Sequence, residues 1–298
     1  MSNLNSILIF FSLTVLLCYK SVAQVRDFET TRLQSSSGAG VASILVNETA
    51  VLNPAPIVFI PISSFYYQKG TSNLDSKSEK RVKNYSDGSS QMYLISDSTS
   101  QLKGTFSYQG QDENRFSRKR FTSSIASNLG KKSAIGVLYR YTVDDDKVLD
   151  EENKFHQAVF GFTHIHSERL SLGGIIVDPF LANKKDAKVV LGFQYNLTEN
   201  FLLILDGGAN FNEKPHKNTL YKGAFQVNFF KDLYLRIGQY RDKTTKLKGS
   251  SWGISWIGPR LSLEYAYKTS EVLEDFADQY LYKGEQFIES SLSLALVF

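Results

Sequence analysis

From about residue 57 to its end the chain alternates apolar with polar or small side chains, which is the period of a β-strand and not of a helix. Leu261, Leu263, Tyr265 and Tyr267 interleave with Ser262, Glu264, Ala266 and Lys268. Ile135, Val137, Tyr139 and Tyr141 interleave with Gly136, Leu138, Arg140 and Thr142, and residues 221–229 and 233–238 behave alike. The pattern predicts strands at about 57–68, 90–97, 101–109, 118–129, 133–143, 153–166, 170–181, 187–196, 201–212, 219–230, 233–242, 250–257, 260–269 and 287–298. That is fourteen strands, each greasy and aromatic on one face and small, polar or charged on the other.

A sandwich in water alternates too, so three further features are needed to choose the fold. The segments are about ten residues long, the length a tilted strand needs to cross the hydrocarbon layer. Their apolar faces are rich in Tyr, Phe and Trp, the residues of membrane-interface girdles. Tight links at 97–100, 130–132, 167–169, 197–200, 231–232 and 258–260 alternate with longer connections at 69–89, 110–117, 144–152, 182–186, 213–218, 242–249 and 270–286. Short periplasmic turns opposite longer outer loops are expected of an outer-membrane barrel. The reading is therefore an all-β chain, a transmembrane antiparallel β-barrel of about fourteen strands. At its C-terminus Leu292, Leu294, Leu296 and the terminal Phe298 share one face and resemble the assembly signal read by the bacterial barrel-assembly machinery.

The N-terminus places this barrel. Residues 7–17 form an almost unbroken apolar run, and Ser21-Val22-Ala23 follows as a small-x-small triplet before Gln24. The run is too short to span a membrane comfortably and reads as a signal peptide, residues 1–23, cleaved after Ala23. Cys18, the single cysteine, would leave with it, so disulfides and multi-thiolate zinc sites are not expected. With 34 Lys and Arg against 30 Asp and Glu, and no long basic block, nucleic acid is not an expected partner. The expected location is the outer membrane of a Gram-negative bacterium, in contact with its lipid and lipopolysaccharide. No phosphate loop or dinucleotide fingerprint occurs, and neither an enzyme nor a cofactor is expected. His164 and His166 are two apart but lack carboxylate partners and read as turn residues rather than metal ligands. Asp144, Asp145, Asp146, Asp150, Glu151 and Glu152 read as an acidic, solvated outer loop.

Residues 24–56 differ in kind. Ser35-Ser36-Ser37-Gly38-Ala39-Gly40-Val41-Ala42-Ser43 leads through Ala50 to Asn53-Pro54-Ala55-Pro56, too rich in Gly and Pro for a spanning strand. Gly38, Gly40, Ala42, Ala50, Asn53, Pro54 and Ala55 resemble the N-terminal region of the FadL-like outer-membrane transporters of fatty acids and aromatic hydrocarbons. The related PorV-like and PorQ-like proteins of type IX secretion open in the same way. Val46-Asn47-Glu48 stands where that family has an acidic pair, and the outer loops are shorter than those of the fatty-acid transporters. The resemblance implies that residues 24–56 fold into the lumen as a plug and that 57–298 form the barrel.

On the polar strand faces lie Arg140, Lys222, Arg236 and Lys268 with Asp206 and Glu264. Ionisable groups at membrane depth are costly unless they face water or each other, so these should line the lumen. There they either guide an anionic amphiphile or pair with and hydrate the plug. Two functions follow from the resemblance: a channel for small hydrophobic or amphipathic molecules, or a non-transporting barrel that docks a secretion-system protein.

Overall fold

The computed structural model describes residues 27–75, 87–114, 116–147, 150–212, 214, 218–273 and 286–298; the proposed signal peptide and cleavage site lie outside them. Fourteen antiparallel strands close into one barrel, each hydrogen-bonded to its sequence neighbours, and the last pairs with the first. They are β1 Ser63–Asp75, β2 Gly88–Asp97, β3 Lys103–Glu113, β4 Phe116–Asn128, β5 Ser133–Asp146, β6 Glu151–Ile165 and β7 Leu170–Val177. Then follow β8 Lys188–Asn196, β9 Phe201–Asn210, β10 Thr219–Phe230, β11 Leu233–Asp242, β12 Leu247–Ile257, β13 Leu261–Val272 and β14 Gln286–Val297. Among the described residues no helix is long and apolar enough to cross a membrane.

Several expected boundaries differ: β1 runs on to Asp75 instead of ending near residue 68, and β3 to Glu113 instead of 109, because their ladders with β14 and β2 continue outward. The first strand begins at Ser63, not near residue 57, because Ala55–Phe59 wind into a 3-10 turn behind Pro54. The seventh stops at Val177, because Asp178 takes a left-handed conformation with φ 51 and turns the chain out of the ladder. The acidic run is also less of a loop than its charges suggest: Asp144, Asp145 and Asp146 end β5, while Glu151 and Glu152 begin β6. Asp144 is held there by Arg118, with an N···O distance of 2.6 Å.

Lipid is the solvent that the outer face fits. Ile125, Val137, Phe160, Leu191, Ile237, Trp252 and Leu292 all project outward and are exposed. The register aligns Tyr67, Tyr93, Tyr108, Phe121, Tyr141 and His156 in one row across β1 to β6. The Tyr67–Tyr93 and Tyr108–Phe121 ring centroids are 5.1 Å apart. His164, also on this wall, shares a 2.8 Å hydrogen bond with Ser133. Leu292 and Leu296 face outward on β14, Leu294 is half-buried, and the Phe298 amide bonds the Ser63 carbonyl across the closing seam at 3.0 Å.

Inside, the two halves of the wall differ. Hydroxyls line one side, paired as Ser64–Ser96 at 2.7 Å and Thr105–Ser124 at 2.6 Å. Leu138, Val159, Ile175, Val177, Val190 and Leu220 form an apolar wall on the other. The rim at the short-turn end is level, whereas the opposite rim has a step. Val177, the last residue of β7, pairs with Val159, so Glu151 to Ala158 of β6 rise beyond it with β5 as their strand neighbour. Elsewhere on that rim adjacent strands end within three residues of one another.

Candidate functional site

The lumen is occupied by residues 27–62, which touch every strand of the barrel. A short helix, α1 (Thr31–Ser35), is capped at its start by the Thr30 hydroxyl, which accepts a hydrogen bond from the Leu33 amide. It ends in Ser37 and Gly38, both with positive φ, and the Gly38 amide bonds back to the Leu33 carbonyl. A Cβ at Gly38 would meet only the movable ends of the Glu29 and Lys222 side chains, at 2.5 Å, so it is the positive φ of 77° that calls for glycine here. The following loop passes through a 3-10 turn at Asn47–Ala50 before the one at Ala55–Phe59.

The residues that the sequence singles out in this segment lie against the wall. The Asn53 amide nitrogen donates to the Val41 carbonyl at 2.7 Å, to Thr163 Oγ1 at 3.0 Å and to the Phe162 carbonyl at 3.1 Å. Its oxygen accepts from the Ala55 amide at 3.1 Å, so one side chain joins two parts of the segment to β6. Pro54 and Ala55 press on Gly136 of β5, and Ala42 presses on Gly173 and Gly192 of β7 and β8. Gly40 donates its amide to Asp206 at 2.7 Å.

All six lumen charges named from the sequence face inward, and five hold the segment directly. Asp206 accepts from the Gly40 and Val41 amides; Lys222 donates to the Gly38 carbonyl at 3.3 Å and Arg140 to that of Val51 at 2.5 Å. Glu264 accepts from Arg32 Nε and Nη2 at 3.0 and 2.7 Å, while Lys268 pairs with Glu29 at 2.7 Å. Arg236 bonds Gln226 on the wall and lies 4.0 Å from Glu264.

The partners of these charges escaped the sequence reading, because the irregular segment has no period from which to assign a face. Asp27 pairs with Lys188 at 2.9 Å, and this cation holds its carboxyl well below the usual carboxylate range. Burial draws the Arg32 guanidinium down, but Glu264 and Glu48 outweigh it and leave that group firmly charged. Burial pushes Glu48 up, against the opposing pull of Arg32 and a hydrogen bond from Thr30. Arg118, Arg120 and Lys188 were readable in principle, since each lies on the polar face of its strand.

Against Asp27, Phe28 and Glu29 a small cavity of about 50 Å3 lies between the segment and strands β4, β5 and β7 to β10. Leu33, Val41, Val51, Leu52, Ile175, Val177, Val190 and Leu220 line it, and its charged groups are Arg120, Arg140, Lys188 and Lys222 with the carboxylates of Asp27, Glu29 and Asp206. Arg120 is 3% exposed and Arg140 7%. Arg120 Nε bonds Thr142 at 3.0 Å and its guanidinium sits 5.2 Å from the Phe28 ring centre. Yet Arg120 Nη2 and Arg140 Nε are buried without a hydrogen-bond partner in the protein. Buried donors left open are costly, and an apolar chamber with two such donors suits a molecule with an apolar body and an anionic head.

No protein-family model and no curated protein sequence matches this chain. Its fold, by contrast, matches solved barrels along almost their whole length. The CymD monoaromatic hydrocarbon channel is similar at a TM-score of 0.70 and 10% identity, covering 90% of this chain and 97% of that one. The Ralstonia pickettii toluene transporter TbuX gives a TM-score of 0.70 and 10% identity over 93% of this chain and 99% of its own. A Pseudomonas aeruginosa FadL homologue gives 0.60 and 11%, covering 92% and 99%. The chain thus has the fold of the FadL-like outer-membrane barrels.

Proposed function

We propose that this protein is a channel of the bacterial outer membrane that passes small hydrophobic or amphipathic molecules. Residues 27–62 serve as its plug, and the end with the longer connections faces outward. The observation that carries the reading is the cavity walled by Val41, Val51, Ile175, Val177, Val190 and Leu220 and holding open donors of Arg120 and Arg140. The names of the solved structures support it: CymD is a monoaromatic hydrocarbon channel and TbuX a toluene transporter. They lend no support to the secretion-docking alternative, and their names describe channels and transporters rather than enzymes.

Passage requires the segment to yield, because its backbone and the ion pairs of Asp27 and Glu29 lie across the lumen above the cavity. Arg120 and Arg140 would orient the head while the aliphatic wall takes the body. The experiment is uptake of dodecanoate and of dodecanol by cells that display the protein, against cells that lack it. Replacing Arg120, whose hydrogen bond is to Thr142 on the wall, by Ala should reduce dodecanoate uptake about tenfold and leave dodecanol within twofold, since a hydrogen bond to a charged group contributes roughly 1.5–3 kcal/mol. Uptake of both molecules at the rate of cells without the protein would refute the channel.

A further inference from the structure

Two positive charges on the lumen wall have no carboxylate of their own. Arg120 of β4 and Arg140 of β5 are diagonal neighbours on the inner face, since Arg120 stands opposite Thr142 and Arg140 opposite Thr122. Both are buried, and among the described residues no carboxylate oxygen lies within 4 Å of either guanidinium. The carboxylates around them are engaged elsewhere. Asp27 pairs with Lys188, Glu29 with Lys268 and Asp144 with Arg118, while Asp206 accepts the Gly40 and Val41 amides. Asp178 and Asp186 are held by Gln157 and by the Ala182, Asn183 and Asn183 side-chain donors of their own connection.

Each guanidinium also has fixed partners for part of its fork. Arg120 Nε donates to Thr142 at 3.0 Å, and Arg140 Nη2 to the Val51 carbonyl at 2.5 Å. Arg120 Nη2 and Arg140 Nε remain without an acceptor, and both residues line the cavity of about 50 Å3. A space of that size takes a few water-sized particles and no acyl chain. Two like charges on neighbouring strands repel strongly once water is excluded, and a neutral water offsets that repulsion far less than an anion does. Lys222, which lines the same cavity from β10, is likewise more than 4 Å from any carboxylate oxygen of the described residues and adds to the positive surplus.

The same two arginines are where the N-terminal segment meets this part of the wall. Arg140 holds the Val51 carbonyl, and the Arg120 guanidinium sits 5.2 Å from the Phe28 ring centre. An anion that accepts from both open donors would fix the two guanidiniums beside each other, and with them their contacts to Phe28 and Val51. Without it, their mutual repulsion works against the seat of the segment.

We propose that a single chloride-sized anion binds between Arg120 and Arg140 and latches residues 27–62 to strands β4 and β5. The latch occupies the place given above to a cargo head but is a property of the protein without cargo, so the two readings fail separately. The test follows hydrogen exchange of residues 38–55 in the purified full protein in detergent, at one ionic strength, in sodium chloride, bromide or gluconate. Gluconate is too large for the cavity. Exchange should be at least fivefold slower in chloride and in bromide than in gluconate, and Arg120→Met, which fills similar space without the open donor, should erase the difference. Crystals of the unaltered protein grown in bromide should show an anomalous peak touching Arg120 and Arg140, a result that stands even where the variant fails to fold. Equal exchange in the three salts, a halide effect that survives in Arg120→Met, or bromide found only at other places would overturn the latch. Dodecanoate uptake by the unaltered protein, compared with cells lacking it, judges the channel independently of all three.

Discussion

Asn53 carries more of the segment's attachment than any other side chain singled out from the sequence. Four hydrogen bonds depend on it, three of them in a buried setting where an unmade bond costs about 1–3 kcal/mol. Asn53→Ala should leave the barrel assembled but loosen the segment by roughly 2–4 kcal/mol, seen as faster proteolysis or hydrogen exchange of residues 38–55. Unchanged protection would show that these bonds do not hold the segment. Gly161 makes the complementary test from the wall. A Cβ there would run into the Asn53 oxygen and Pro54 Cδ, so Gly161→Val should displace the same segment, at a cost of about 1–3 kcal/mol. Both residues can be found by reading the chain, but that they meet cannot, because 108 positions separate them.

The N-terminal segment behaves as one element whose seat depends on buried charge. Glu48 is raised, so its protonated form suits the folded seat better than its carboxylate does. The stability it contributes is complete below the ordinary carboxylate range and is lost as pH rises through its raised value. Asp27 has the opposite sign: its contribution is present above the ordinary range and fades only in strong acid. Channel noise in planar bilayers should therefore increase as pH is raised from mildly acidic, and Glu48→Gln should flatten that dependence. A profile identical in Glu48→Gln would place the responsible group elsewhere. Deleting residues 27–56 should raise conductance severalfold, since fourteen strands enclose a lumen wider than the one that side chains fill in eight-stranded barrels. A deletion variant that folds yet conducts no more than the intact protein would remove the plug reading.

For the whole molecule the expectation is a protein of outer-membrane fractions that shifts its mobility on heating in detergent. Recovery as a soluble periplasmic monomer would contradict an outer wall of Phe, Ile, Leu and Trp. Removing Phe298 should lower barrel levels in the membrane without blocking export, and a normal level would leave the C-terminal signal without support. The chain's period-two pattern alone determined the strand number, the antiparallel order and which face meets lipid, because side-chain direction in a strand follows from position and needs no distant partner. It also placed Arg140, Asp206, Lys222, Arg236, Glu264 and Lys268 on the inner face by the same rule. Tertiary structure alone decided their partners: Arg32, Glu29 and the backbone of Gly38 and Val51 belong to a segment with no repeating period, positioned by contacts across the lumen. It also decided the cavity with its open Arg120 and Arg140 donors and the step between β6 and β7, since both arise from where strands stop and how the closed sheet staggers, which no single strand records.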